Sequence, residues 1–172
     1  DVFDDRSVTI SSDAMGTVKF SGHGGSSAVS AIDATAAGDI FDTFDAQAIA
    51  GLDATAYIAE TGAVAGNAAM LTSPGGANSL FYTLPSLVDG LSLSASYNPK
   101  GATAESSTAV AGTYAGIEGL SVSYGVGTER PLATAFNADV TSMKASYAFG
   151  PITVGYSDHE YNSTTDTRDQ ET

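Results

Sequence analysis

The chain has 172 residues, of which 20 are acidic and 6 are basic, so its formal net charge is −14. That balance excludes a nucleic-acid-binding protein, because such binding depends on neutralising phosphates with Lys and Arg. Cysteine is absent, which excludes a disulfide framework, a thiolate metal site and a cysteine nucleophile.

The hydrophobic residues recur at every second position, in segments of about the length that a tilted strand needs to cross a membrane. No run of about 18 apolar residues, which a transmembrane helix would need, occurs in the sequence. The alternation is clearest where Leu91, Leu93, Ala95 and Tyr97 are separated by single serines. The pattern predicts eight strands: Arg6–Ser12, Gly16–His23, Asn78–Pro85, Gly90–Tyr97, Ser107–Gly116, Leu120–Glu129, Asp139–Phe149 and Pro151–Tyr161.

The predicted connections alternate strictly in length. The short ones are Asp13–Met15, Pro85–Asp89, Ile117–Gly119 and Gly150–Pro151. The long ones are Gly24–Ala77, Asn98–Ser106 and Arg130–Ala138, and Asn162–Thr172 is expected to begin another. A meander with tight turns at one end and long loops at the other is typical of an outer-membrane β-barrel.

The two faces of the predicted strands differ in the size of their side chains. One face carries Leu, Val, Ile, Phe, Tyr and Met, and the other carries mostly Ser, Thr, Gly and Ala. A soluble sheet would have long charged side chains on its wet face, whereas short hydroxyls suit a wall around a water-filled lumen. Aromatic residues expected near strand ends on the apolar face would form interfacial girdles: Tyr97, Tyr124, Tyr147, Phe149 and Tyr156. The alternative is a secreted or surface-layer β-sandwich with a structural or adhesive role, in which the apolar face is the core.

Four stretches carry a resemblance to a known family. They are SVTISSDAMGTVKFSGH (Ser7–His23), NSLFYTLPSLVDGLSLSASY (Asn78–Tyr97), AGTYAGIEGLSVSYG (Ala111–Gly125) and MKASYAFGPITVGYS (Met143–Ser157). In this order and spacing they resemble the general diffusion porins of Gram-negative bacteria, particularly those of the alphaproteobacterial type. Each motif is degenerate, so the resemblance depends on their order.

The resemblance implies an all-β, antiparallel transmembrane β-barrel in the outer membrane. It implies a sixteen-stranded barrel that assembles as a homotrimer and passes small hydrophilic solutes and ions by diffusion. Residues 1–172 are then part of one barrel domain. We expect about eight of the sixteen strands, roughly the fourth to the eleventh, because the final residues DTRDQET lack the terminal aromatic strand of the family.

The segment 24–77 is too long for an ordinary connection, and loops of this length are usually functional. It carries acidic residues and no Lys or Arg: Asp33, Asp39, Asp42, Asp45, Asp53 and Glu60. The resemblance implies that this segment folds into the barrel as a constriction loop. The alternative is that these carboxylates merely solvate an outer loop.

Basic residues on the pore wall would face those acids across the lumen. Lys19 and Lys144 are expected to point into the lumen, with Arg6 and His23 as further candidates. Opposed charges across a narrow lumen orient dipolar solutes. Many porins of the family have an arginine where this chain has Phe81, so we expect few basic residues on the wall and a mild preference for cations.

Other functions are weakly indicated. Asp39, Asp42 and Asp45 supply hard oxygen ligands that suit Ca²⁺, although their spacing matches no EF-hand; no other cofactor is expected. The stretch SGHGGSS (Ser21–Ser27) is similar to an esterase oxyanion loop, but no GxSxG elbow accompanies it, so an enzyme is not expected. The outer loops Asn98–Ser106 and Arg130–Ala138 are candidates for binding a phage or another surface partner.

Overall fold

The computed structural model describes residues 6–22, 25–29, 32, 78–100, 105–130, 137–163 and 167–171. Within these ranges the regular structure is entirely β. The nine strands are β1 (Ser7–Ser12), β2 (Gly16–Ser21), β3 (Ser79–Thr83), β4 (Leu91–Asn98), β5 (Ser107–Ile117), β6 (Leu120–Glu129), β7 (Ala138–Phe149), β8 (Ile152–Ser163) and β9 (Thr167–Glu171). No helix in these ranges has the length and hydropathy needed to cross a membrane.

Each strand pairs antiparallel with its neighbours in sequence, and the strands form one sheet in the order β1 to β9. The sheet is open, with β1 and β9 at its edges. All eight predicted strands are confirmed, with ends that differ by a few residues. The third, for example, ends at Thr83, two residues before Pro85, which has no N–H to donate to a ladder.

The ninth strand was not predicted. The expectation that Asn162–Thr172 begins another long loop is wrong, because β8 continues to Ser163 and β9 begins at Thr167. The sequence of β9 is TRDQE, which contains no apolar residue and therefore gives no period-two signal. Its register with β8 runs from Asp158 opposite Glu171 to Asn162 opposite Thr167. This register follows from main-chain pairing and has no counterpart in an apolar pattern of the sequence.

Glycines allow two adjacent hairpins to approach closely. Gly90, in the turn before β4, has a φ of 76°, and a Cβ there would overlap the backbone of Gly116. The Gly90 carbonyl accepts a hydrogen bond of 2.7 Å from the Ala115 amide. The register of β5 with β6 shifts between Tyr114 and Ile117. The turn before β4 therefore contacts β5 at the place where its pairing is irregular.

The buried core lies on the side of the sheet that carries the small residues. Ala28, Val29 and Ile32 form a buried cluster with residues of β5 and β7. The opposite side, which we call the apolar face, carries large side chains that remain exposed, among them Ile10 (62%), Val154 (67%) and Phe149 (74%). Within the described ranges, the large apolar side chains therefore lie on the exposed face and the buried cluster lies on the face of small side chains, which is the reverse of a soluble sheet.

The expected aromatic girdle is only partly confirmed. Tyr97 is close to the end of β4, and Tyr147 and Phe149 are close to the end of β7. Tyr124 and Tyr156 lie near the middle of β6 and β8, so the prediction that they are near strand ends is wrong. Period-two alternation determines which face a side chain occupies and gives no information on its depth.

Candidate pore wall

The side of the sheet opposite the apolar face is lined by short side chains, and we call it the serine face. Strand register places Ser94 beside Ala111, and Ala111 beside Gly125. Hydroxyl groups also pair across strands, as at Thr113 Oγ1 and Ser123 Oγ, which are 2.9 Å apart. Such a surface offers hydrogen-bonding groups without long side chains that would fill the space in front of it.

The two lysines expected on this wall are placed there by the strand register. Lys19 is exposed and lies between Thr9 and Phe81 in neighbouring strands. Lys144 is half-buried and lies between Ser123 and Ser157. Both lysines therefore belong to the serine face.

The other two basic candidates are not placed beside them. The Arg6 carbonyl accepts a hydrogen bond of 2.8 Å from the Gly22 amide, which puts Arg6 in the same alternation as Val8. Its side chain crosses Gly22, where a Cβ would be 3.0 Å from its Cγ. Arg6 thus follows the apolar face at the end of β1, and His23 lies outside the described residues.

The acidic candidates lie outside the described residues: Asp33, Asp39, Asp42, Asp45, Asp53 and Glu60. The same applies to most of the predicted constriction loop 24–77, and the suggested calcium ligands Asp39, Asp42 and Asp45 are among these residues. Within the ranges that the structure describes, no cluster of three His, Cys, Asp or Glu residues could hold a metal ion. Both assignments stay predictions.

Part of that long segment is described and lies on the serine face. We call residues 25–29 with Ile32 the docked segment. Ala28 and Val29 have no exposed surface, and Ile32 is 8% exposed. The Ala28 amide donates a hydrogen bond of 2.9 Å to Ser96 Oγ in β4. The first part of the 24–77 segment is therefore fixed to the wall that carries the two lysines.

Two ion pairs lie at the end of the sheet where the long connections are. Arg130 donates to Asp139 Oδ1 at 2.8 Å and also to the Ala138 carbonyl. Lys100 pairs with Glu105, and the Glu105 amide donates to the Arg130 carbonyl at 2.7 Å. Sequence reasoning missed both pairs, since partners across a loop leave no periodic signal.

The chain matches the model of a known protein family. The family model described as Gram-negative porin matches residues 1–172. Neither curated proteins nor solved structures give a match. The exposed apolar face and the hydroxyl-lined opposite face are what this family requires of strands that separate lipid from water. The chain therefore belongs to the Gram-negative porin family, whose members are channels built from transmembrane β-strands in the outer membrane.

Proposed function

We propose that this porin passes small hydrophilic solutes and ions by passive diffusion, with a mild preference for cations. The serine face would line the water-filled path, and the apolar face would contact the acyl chains of the membrane. The observation that carries the proposal is the position of the buried cluster, which lies on the serine face while the large apolar side chains stay exposed. In water that arrangement is unfavourable, because the free energy of the protein falls only when apolar surface is removed from contact with water.

The proposed cation preference comes from the charges. The chain has 20 acidic residues, and the acids of the 24–77 segment are proposed to face Lys19 and Lys144 across a narrow lumen. The measurement is the reversal potential in planar bilayers under a KCl gradient. We expect the sign that corresponds to K⁺ passing faster than Cl⁻, and an anion preference would contradict the proposal.

Neutralising a wall lysine is expected to strengthen the cation preference. In water, one elementary charge about 8 Å from the path changes the energy of a K⁺ ion by about 0.5 kcal/mol, roughly a twofold change in its local concentration. Because the same charge attracts Cl⁻ as much as it repels K⁺, Lys19→Gln and Lys144→Gln are each expected to raise the K⁺ to Cl⁻ permeability ratio by about the square of that factor, roughly fourfold, measured by the same reversal potential.

Lys100→Gln is the matched control, because it removes the same charge from an exposed ion pair at the end of the sheet. A shift for Lys100→Gln as large as for Lys19→Gln would show that the wall position has no special effect.

We further propose that the nine strands are an arc of a larger barrel. The main-chain groups on the outer sides of β1 and β9 need partners, because an unpaired group in the bilayer core costs several kcal/mol. A sixteen-stranded barrel of the alphaproteobacterial type, of which these strands form the central portion, would supply them. The homotrimer rests on the resemblance alone, and its test is the mass of the detergent-solubilised assembly measured by light scattering.

The β-sandwich alternative receives no support from the fold. A sandwich requires a second sheet packed on the apolar face, whereas the described strands form a single sheet. Detergent dependence separates the two possibilities, since a sandwich would be monodisperse without detergent. The suggested phage or surface partner at Asn98–Ser106 and Arg130–Ala138 stays a prediction.

A further inference from the structure

The docked segment contacts the serine face at one apolar place on a wall of mostly hydroxyl-bearing residues. Ala109 and Ala111 of β5 and Val140 of β7 are buried there with the docked segment. Phe81 of β3, which lies on the same face, packs against this cluster. The wall therefore carries a local apolar surface where the docked segment meets it.

Gly125 of β6 makes that surface concave. A Cβ at Gly125 would stand 2.9 Å from Ile32 Cδ1 and 3.1 Å from Ala111 Cβ, so the tip of Ile32 occupies the space that a side chain would fill. The φ angle of Gly125 is not positive, so its backbone conformation is open to any residue. Its missing side chain is therefore explained by the contact with Ile32 and not by the conformation of the strand.

Polar groups of the docked segment are satisfied at the same place. The Ala28 amide donates to Ser96 Oγ at 2.9 Å, and the Ile32 amide donates to the Val29 carbonyl at 2.9 Å. Backbone groups buried without partners would oppose docking. The segment is thus held by shape, by apolar contact and by hydrogen bonding together.

We propose that Ile32 and the recess at Gly125 hold the docked segment against the wall and thereby keep the lumen open and steady. The inference rests on the proposed function, because it assigns the docked segment a place inside a conducting channel. Ile32, Gly125 and Ser96 are positioning residues: they contact no permeating ion and act by keeping the docked segment out of the water-filled path. A segment that detaches enters that path and obstructs it intermittently.

The first test measures detachment directly. The chain contains no cysteine, so Val29→Cys introduces a single thiol at a fully buried position of the docked segment. Its labelling by a small water-soluble methanethiosulfonate, in the complete barrel reconstituted into phosphatidylcholine vesicles, reports how often the segment leaves the wall. Adding Gly125→Val fills the recess and is expected to accelerate labelling by about tenfold, the factor that corresponds to 1.4 kcal/mol.

Gly112→Val is the matched control. Gly112 is also inside a strand, but it lies on the apolar face, where a Cβ would be 2.9 Å from the flexible Cδ2 of Leu93 and 3.7 Å, an ordinary contact, from the Ser92 carbonyl oxygen. It should leave the labelling rate unchanged. Ile32→Ser removes the other half of the contact without altering any strand, and it replaces Gly125→Val if that variant does not fold.

The second test is electrical. In planar bilayers Gly125→Val or Ile32→Ser is expected to increase open-channel current noise several-fold, while Gly112→Val matches the unmodified chain. Equal labelling rates, or equal noise, for the recess variants and the control would overturn the inference. Absence of conductance from the unmodified complete barrel would instead overturn the proposed function, and thiol labelling would still show whether the segment is held by the recess.

Discussion

Val122→Lys is expected to destabilise the folded protein in a lipid bilayer by about 1–3 kcal/mol, between the cost of a lysine on the lipid side of a β-barrel at the midplane and its cost near the interface, because Val122 is the third residue of β6. Val122 lies on the apolar face of β6 beside Tyr114 and Ala145, so no described strand neighbour offers a carboxylate to the new ammonium group. The measurement is a guanidinium titration of the complete barrel reconstituted into phosphatidylcholine vesicles, followed by tyrosine fluorescence and by the heat-dependent shift in gel mobility.

Ser121→Lys is the control. Ser121 is the adjacent residue in β6, and it lies on the serine face opposite Ser146, so the same charge enters the same strand on the side that we assign to water. We expect it to cost less than about 1 kcal/mol, the usual range for substitutions at a hydrated surface. Equal costs for Val122→Lys and Ser121→Lys would contradict the assignment of the two faces to lipid and water.

Gly90→Ala is expected to be among the most destabilising small substitutions in the chain. The left-handed φ of Gly90 costs an alanine about 1–2 kcal/mol, and the overlap of its Cβ with the Gly116 backbone forces two hairpins apart, at about 1–3 kcal/mol more. The expected total is about 2–5 kcal/mol in the same guanidinium titration.

Gly150→Ala separates these two contributions. Gly150 has a φ of 57° in the turn between β7 and β8, and a Cβ there would meet no atom within 4 Å. Only the backbone cost of about 1–2 kcal/mol should remain. If both substitutions cost the same, the close approach of the hairpins at Gly90 and Gly116 does not contribute to stability.

The sequence predicted the strands of the sheet far better than it predicted how the docked segment packs against them. Period-two alternation located eight strands and the faces of Lys19 and Lys144, because the contrast between apolar and small side chains repeats along each strand. It failed for β9, whose residues Thr167–Glu171 are all polar. It also left the face of Arg6 open, although Arg6 is the first residue of the predicted strand Arg6–Ser12 and period-two alternation groups it with Val8 on the apolar face.

The contact between Ile32 and Gly125 could not be predicted for a different reason. Ala28, Val29 and Ile32 are ordinary apolar residues in a segment rich in glycine, serine and alanine, and they show no periodic pattern. Gly125 is one of 19 glycines. The pairing joins residues far apart in sequence, and a single sequence carries information only on local order. A glycine within a predicted strand is the one signal that was available, because it often marks a close approach by another part of the chain.

The strand order has a consequence for how this architecture can vary. Every strand pairs with its neighbours in sequence, and β2 and β3 are joined across the longest connection, from Ser21 to Ser79. The entropy lost when such a connection is closed grows only with the logarithm of its length, so it costs about 2 kcal/mol more than a tight turn of four residues. Insertions and deletions there are therefore expected to change the sheet's stability little, so this connection can vary in length among relatives while the strands it joins stay the same.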